Sequence, residues 1–315
     1  MILVTGGAGF IGSNLVRALN ARGSDDILLV EDLREGRKAL NLSNSRIADY
    51  LDQARCLALL EDGSDLSGPI EAVFHLGACA DTTEWDGRYM MDANFRFSRA
   101  LFQFCSRRAI PFVYASSAAI YGRSTDFREV AENENPLNVY GYSKLAFDQF
   151  VRHQLPAAQS LVAGLRYFNV YGPREQHKGA MASVVYHLNS QLQETGSVRL
   201  FDASHGYAAG EQLRDFVHVD DVVDATLWFA DQDVRSSGIF NCGTGSAATF
   251  NTVASTIIDW HGRGEIEYID FPPKLEAAYQ AFTQADLSRL RSVGYSGTFR
   301  DVDIGTREYL NWLAS

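Results

Sequence analysis

Ile2-Leu3-Val4 is a short apolar run of the kind that forms a buried strand. Beyond the residues that follow it, Leu15, Val16 and Leu19 recur at helical spacing across Asn14–Leu19. A second apolar run, Ile27-Leu28-Leu29-Val30, ends in Glu31-Asp32. The same reading predicts strands at Ala72–His75, Phe112–Ser116 and Leu161–Leu165, and helices at Tyr89–Arg107 and Val139–Gln154. This βαβα alternation predicts an α/β fold, a doubly wound parallel sheet of the Rossmann kind. After about Asn169 the pattern becomes irregular. A helix is expected near Ala182–Gln193, a strand at Phe216-Val217-His218-Val219 and a helix over Asp221–Phe229. The chain is expected to form a dinucleotide-binding domain over residues 1–168, rejoined by about 215–240. Residues 169–214 and 241–315 would then make a smaller mixed α/β substrate-binding domain. His205–Glu211, rich in glycine and alanine, reads as a mobile loop.

Composition narrows the class. The 315 residues suffice for one large or two modest domains, and 46% hydrophobic with 21% charged residues is ordinary globular usage. No apolar run approaches the ~20 residues of a membrane span. The N-terminus opens on a strand without a basic n-region, so no signal peptide is expected. Cys56, Cys79, Cys105 and Cys242 are scattered, with no metal spacing and no disulfide framework, which suits a reducing, cytoplasmic setting. A net charge of -11 argues against nucleic acid as a partner, which needs a basic footprint. It leaves room for a small anion held by a few local cations.

Two segments carry candidate chemistry. Thr5-Gly6-Gly7-Ala8-Gly9-Phe10-Ile11-Gly12 lies between the first strand and the first helix, the context in which a glycine turn brings backbone N–H groups to a pyrophosphate. Tyr140-Gly141-Tyr142-Ser143-Lys144 puts a phenol and an ammonium four residues apart, on one face of a helix. A positive charge beside a tyrosine favours its phenolate, and so predicts a proton-transfer pair for an alcohol. Glu31 and Asp32, at the end of the second strand, suit ribose hydroxyls and NAD. Arg34, Arg37 and Lys38 suit a 2′-phosphate and NADP. The residues alone leave that choice open.

The glycine turn, Ser117 before Ala118-Ala119-Ile120-Tyr121-Gly122, Tyr140…Lys144 and Arg214-Asp215-Phe216-Val217-His218-Val219-Asp220-Asp221-Val222 occur together and in order. The combination resembles the extended short-chain dehydrogenase/reductase superfamily along nearly the whole chain. Thr82-Thr83-Glu84-Trp85-Asp86-Gly87, the stretch from Arg166 to Glu175 leading to His177-Lys178-Gly179, and Tyr279–Leu287 resemble the ADP-L-glycero-D-manno-heptose 6-epimerase family more closely. That resemblance implies NADP as a tightly held cofactor, a nucleotide-sugar substrate and a homo-oligomer, a pentamer, in bacterial cytoplasm. It implies work on lipopolysaccharide inner-core precursors. A UDP-hexose 4-epimerase, or another nucleotide-sugar epimerase or reductase, is the alternative. A dehydratase is disfavoured, because such enzymes carry an Asp-Glu pair where Ala118-Ala119 stand.

The resemblance also assigns residues. Tyr140 is one acid/base, Lys144 lowers its pKa and holds the nicotinamide ribose, and Ser117 hydrogen-bonds the reacting oxygen. Lys178 is the second proton donor, on the other side of the carbonyl intermediate. The cofactor would lie on Gly6, Gly9, Phe10, Ile11 and Gly12, then Glu31, Asp32 and Lys38, with Leu76, Asn94 and Lys144 beyond. Asn169, Val170, His187, Phe201, Ser204, Arg214 and Tyr279 match substrate-side positions, with Ser117 again among them. Two departures stand out. Ala180 occupies a place that is often serine, and the segment between Ser204 and Arg214 is longer than usual.

Overall fold

Leu3 and Val4 point to opposite faces of one strand, and both are fully buried. That requires cover on both sides, and the whole architecture follows from it. The computed structural model describes residues 1–66, 68–231, 236–272 and 279–315. Its first half alternates strands β1 (Ile2–Thr5), β2 (Ile27–Glu31), β3 (Asp49–Asp52), β4 (Ala72–His75), β5 (Phe112–Ser117) and β6 (Val162–Tyr167) with helices. Those helices are α1 (Phe10–Ala21), α2 (Gln53–Glu61), α3 (Gly87–Met91), α4 (Phe97–Arg108) and α5 (Val139–Gln154). The second half adds short strands β7 (Asn169–Tyr171), β8 (Ser197–Phe201), β9 (Leu213–Arg214) and β10 (Phe216–His218). Strands β11 (Gly238–Cys242), β12 (Ala248–Thr249) and β13 (Glu265–Ile269) follow. Helices α6 (Val184–Thr195), α7 (Val219–Trp228), α8 (Phe250–His261), α9 (Ser288–Ser292) and α10 (Val302–Leu313) lie among and after them.

Seven strands form one parallel sheet in the order β11-β6-β5-β4-β1-β2-β3. The order reverses at β1 and β4, which pair with Val4 opposite Phe74, so the crevice at their carboxyl ends is the expected ligand position of such a sheet. One face buries Val4, Leu29 and Phe240 under α1 and α7 through Leu15, Val16 and Val222. The other buries Leu3, Leu28 and Phe112 under α4 and α5 through Leu101 and Phe147. A third core, around Leu188, Leu192, Ile257 and Leu310, joins α6, α8 and α10 to the β8–β13 pair. Among the described residues no helix is long and apolar enough to cross a membrane.

Each strand and helix expected in the first half is present, together with β3 and α2, which the pattern did not predict. The helix expected over Tyr89–Arg107 starts and ends close to its predicted bounds, but a π turn at Asp92–Arg96 interrupts it. The strand expected at Phe216–Val219 ends at His218 and pairs with β7, outside the main sheet. The sheet's edge is filled instead by β11, which the pattern did not single out because Gly238 and Asn241 break its apolar run. The His205–Glu211 segment, read as mobile, is hydrogen-bonded at both ends. Ser204 and Tyr207 exchange backbone hydrogen bonds of 3.1 and 2.9 Å, and Asn251 donates to Ala209 O and Gly210 O.

Helix α5 is fixed to the sheet by buried charge. Asp148 accepts from Tyr114 Oη at 2.9 Å, Ser116 Oγ at 3.0 Å and Arg166 Nε at 2.9 Å, and both Asp148 and Arg166 are fully buried. Arg166 also pairs with Glu134, which pairs in turn with Arg152. Removing one partner of such a network leaves an uncompensated buried charge. Asp148→Ala is therefore expected to lower stability by about 3–5 kcal/mol, measured by equilibrium unfolding in urea. A loss under about 1 kcal/mol would mean that water replaces the carboxylate without cost.

Candidate active site

The turn after β1 is shaped for close approach. Gly6 has φ +69°, and a Cβ there would lie 2.5 Å from Gly77 N. A Cβ on Gly12 would lie 2.0 Å from Gly6 O. No side chain glycine could be replaced by fits either place. Helix α1 begins at Gly9 without a side-chain cap, whereas Asp52, Asp86, Asn138, Ser183 and Thr249 cap α2, α3, α5, α6 and α8. Uncapped first-turn N–H groups and the helix dipole together favour an anion. The crevice in front of them has a volume of about 660 Å³ and extends from Glu31, Asp32 and Lys38 past Leu76 to Ala115 and Lys178. These features fit a dinucleotide with its pyrophosphate at Gly9–Gly12.

At the far end of β2 the charges are paired. Glu31 is buried and accepts from Ala8 N at 3.0 Å, Asp32 N at 3.0 Å and Lys38 Nζ at 2.9 Å. Asp32 pairs with Arg34, whose side chain is exposed and which holds the Asp32 carboxyl below its usual range. Arg37 pairs with Glu35 and does not line the crevice, whereas Arg34 and Lys38 do.

Tyr140 and Lys144 stand one turn apart in α5, capped by Asn138 at Gly141 N, and Ser117 ends β5 beside them. Ser117 stands near enough to the Tyr140 phenol to pull its pKa down, and its Oγ accepts from Ala119 N at 3.1 Å. Lys144 is buried, and its Nζ donates to Ala115 O at 2.9 Å. Burial pushes the Lys144 ammonium down to about 8, against an opposing pull from Asp148. The expected lowering of the Tyr140 pKa by Lys144 is not what the geometry gives. Burial raises the Tyr140 phenol above its ordinary value, with Ser117 pulling the other way and Cys79 adding to the rise. Desolvation of a phenolate outweighs a cation whose protons are directed at a carbonyl.

Asn94 is buried inside the π turn, the kind of helix irregularity often found at functional sites. It accepts from Cys79 N at 2.8 Å and donates to Cys79 O and Ser143 Oγ, both at 3.0 Å. Ser143 Oγ donates in turn to Tyr140 O at 2.7 Å. One carboxamide thus ties the loop after β4 to the helix that carries Tyr140.

Lys178 lies in a 3₁₀ segment, Gln176–Met181, with its Nζ 5.2 Å from the Phe10 ring centroid. Burial lowers its pKa, opposed by Glu175. Lys178 lines the crevice together with Ala115, the residue whose carbonyl takes Lys144, so Lys178 and the α5 pair come from separate elements. Of the substrate-side positions, Phe201, Arg214 and Tyr279 converge. The Arg214 guanidinium stands 4.8 Å from the Tyr279 ring and 5.6 Å from Phe250, and Tyr279 packs edge-on against Phe201. Arg214 is buried, burial lowers its pKa, and no carboxylate among the described residues pairs with it. Ser204 Oγ accepts from Gln212 at 2.9 Å beside this cluster. Asn169 accepts from Thr283 Oγ1 at 3.0 Å, with half-buried Val170 next to it. His187 is not brought to the cluster: it lies on α6, with Nε2 3.4 Å from the carbonyl of exposed Ala180.

Sequence reasoning missed His205 and Phe271, whose rings lie 5.4 and 5.0 Å from Tyr279 and complete an aromatic box around it. They are far apart in the chain, so no spacing could announce them. It also missed buried His75, at the carboxyl end of β4, which bridges Thr5 Oγ1 and Ser98 Oγ at 2.7 Å each.

Comparison with known proteins agrees with this geometry. Residues 2–243 match the model of the NAD dependent epimerase/dehydratase family. A curated ADP-L-glycero-D-manno-heptose-6-epimerase of Alkalilimnicola ehrlichii is 60% identical over 314 residues, covering 100% of this chain and 98% of that protein. The crystal structure of the Helicobacter pylori ADP-L-glycero-D-manno-heptose-6-epimerase superposes with a TM-score of 0.83 at 30% identity, over 100% of this chain and 96% of that one. A Thermus thermophilus UDP-glucose 4-epimerase solved with NAD gives 0.80 at 25% identity, over 100% and 99%. The chain belongs to the NAD dependent epimerase/dehydratase family and, within it, to the ADP-L-glycero-D-manno-heptose-6-epimerases.

Proposed function

We propose that this chain inverts carbon 6 of ADP-D-glycero-D-manno-heptose, giving the L-glycero epimer, as a step in making lipopolysaccharide core precursors. The observation that carries this reading is that Lys178 lines the same crevice as Ala115, whose carbonyl takes Lys144 one turn from Tyr140 on α5. A bound nicotinamide dinucleotide would supply reversible hydride exchange with the sugar. Tyr140 takes the proton of the 6-hydroxyl while Ser117 holds that oxygen, and Lys144 secures the cofactor ribose. Carbon 6 lies outside the ring, so rotation about one bond presents the opposite face of the carbonyl. Lys178, with a pKa lowered by burial, delivers the proton on that face. Asn169, Val170, Phe201, Ser204 and Tyr279 hold the sugar nucleotide. Arg214, buried without a carboxylate, takes the diphosphate.

NADP is the cofactor we assign. Glu31 is already engaged by Ala8, Asp32 and Lys38, which leaves it poorly placed for ribose hydroxyls, and Lys38 and Arg34 line that end of the crevice. We further assign residues 1–168 and about 215–240 to cofactor binding, and the remainder to the sugar. The protein would work in the cytoplasm as a homo-oligomer, a pentamer by family likeness.

Purified protein incubated with ADP-D-glycero-D-manno-heptose should yield both 6-epimers on chromatography; no conversion, with NADP or NAD added, would sink the assignment. Tyr140→Phe should lower kcat by ~10²–10⁴-fold. Lys178→Ala should lower it by about 100-fold, and turnover within a few-fold of the parent would end the two-base scheme. Lys38→Ala should shift the ratio of NADP to NAD affinities by about tenfold toward NAD, read by titration of both.

Lys144 gives a pH test. Its folded pKa of about 8 lies below the ordinary 10.5. Between those values the unfolded chain binds more protons, so stability rises with pH there and the full cost of burying the charge is present below 8. Lys144→Met should therefore be more stable than the parent by about 2 kcal/mol at pH 7, while losing activity. The gap should shrink as pH climbs past 8, and a gap constant from pH 7 to 10 would contradict the assignment.

A further inference from the structure

The segment that carries Lys178 is joined to the glycine turn by two side-chain amides. Asn14 Nδ2 donates to Phe10 O at 2.9 Å and to Pro173 O at 2.8 Å. Asn41 Nδ2 donates to Ala8 O at 3.0 Å and to Arg174 O at 3.2 Å, with His177 Nδ1 at 3.1 Å from the same nitrogen. Each carboxamide thus bridges one carbonyl of the fingerprint turn and one of the 173–174 peptide units. Arg174 Nη1 returns a hydrogen bond to Asn14 Oδ1 at 3.2 Å.

This arrangement explains an otherwise costly backbone. Arg174 has φ +73°, a left-handed conformation that a side chain with a Cβ rarely adopts. Such strain, on the order of 1–3 kcal/mol, persists only where surrounding contacts over-determine it. Here the consecutive carbonyls of residues 173 and 174 both meet amide donors from the nucleotide side. The chain then turns through Glu175, whose carbonyl accepts from Lys178 N at 2.9 Å and whose buried carboxylate binds Ser183 Oγ at 2.7 Å. Lys178 is left over Phe10, the residue whose carbonyl Asn14 holds. A pair that spans more than 130 residues, and matches fingerprint carbonyls to the lysine's own turn, is better read as a clamp.

We propose that Asn14 and Asn41 are positioning residues for proton transfer: they hold the Pro173–Arg174 turn so that Lys178 is set against the same glycine turn that receives the cofactor pyrophosphate. The clamp registers the second proton donor to the dinucleotide rather than to the sugar, so carbon 6 meets Lys178 at a place fixed before substrate arrives. This rests on the assignment of Lys178 under the proposed function.

The test uses the full chain and two readouts. In epimerisation of ADP-D-glycero-D-manno-heptose, Asn41→Ala is expected to lower kcat about tenfold with KM within twofold, because displacement of a reacting group costs rate more than binding. In the free protein, competitive acetylation over a pH series, read by peptide mass, reports the ionisation of Lys178. Glu175 and His177 face it from its own segment and Phe10 from α1, so release from Phe10 into water should raise its half-reaction pH by about one unit. Asn14→Ala should reproduce both effects from the other amide and serves if Asn41→Ala does not fold. If an amide variant that folds keeps kcat within twofold and leaves the acetylation profile of Lys178 unmoved, the clamp is overturned. If Lys178→Ala turns over normally while the profile still shifts in Asn41→Ala, the geometric clamp stands and the second-base reading fails instead.

Discussion

Asp148 is the point on which the crevice depends. It lies one turn after Lys144 and two turns after Tyr140 on α5, and it takes hydrogen bonds from Tyr114 and Ser116 of β5 and from Arg166 of β6. Three donors from two neighbouring strands fix both the rotation and the height of the helix. A helix packed by apolar contacts alone could slide or turn by a fraction of a residue at small cost. One tied through a buried carboxylate to a buried guanidinium cannot, since every displacement breaks a charge-assisted bond in a low dielectric. The position of Tyr140 beside Ser117 is therefore set from beneath, before any ligand acts on it.

A second constraint acts from the cofactor side. The glycine turn does more than admit a pyrophosphate: its carbonyls at Ala8 and Phe10 are anchor points for the loop that brings Lys178. Asn94 makes the corresponding link between the loop after β4 and α5. Three carboxamides, each holding stretches remote in the chain, thus organise the crevice around one sheet edge. Amides suit this use because they offer donors and an acceptor without a charge to desolvate.

Much of this was legible in the sequence. Buried parallel strands have continuous apolar runs, so β1, β2 and β4 to β6 stand out, and glycines crowded after a first strand have few other uses. Tyr140 and Lys144 are legible because helical spacing alone brings them to one face. What was hidden depends on three-dimensional closure. β11 is short and reaches the sheet after a long excursion. Asn41 and Asn14 look like surface amides until Arg174 is seen in a left-handed turn against them. The electrostatic state of Tyr140 could not be read from the neighbouring lysine, because the burial of both groups, and the carbonyl of Ala115 that takes up Lys144, are properties of the folded chain.

The late arrival of β11 has a consequence for how the molecule is made. The chain leaves the sheet at the end of β6 and supplies the neighbouring strand only at Gly238–Cys242. Asn241 within it takes the hydroxyl of Tyr121 at 2.7 Å and reaches onward to Asp286 O at 3.0 Å. On a ribosome that delivers about 5–20 residues per second, the edge of β6 must wait several seconds for its partner. During that interval a six-stranded sheet presents an unpaired, apolar margin able to pair with another nascent chain. The long excursion before β11 thus leaves the β6 margin unpaired through the middle of synthesis, the stage at which pairing with another chain has least competition.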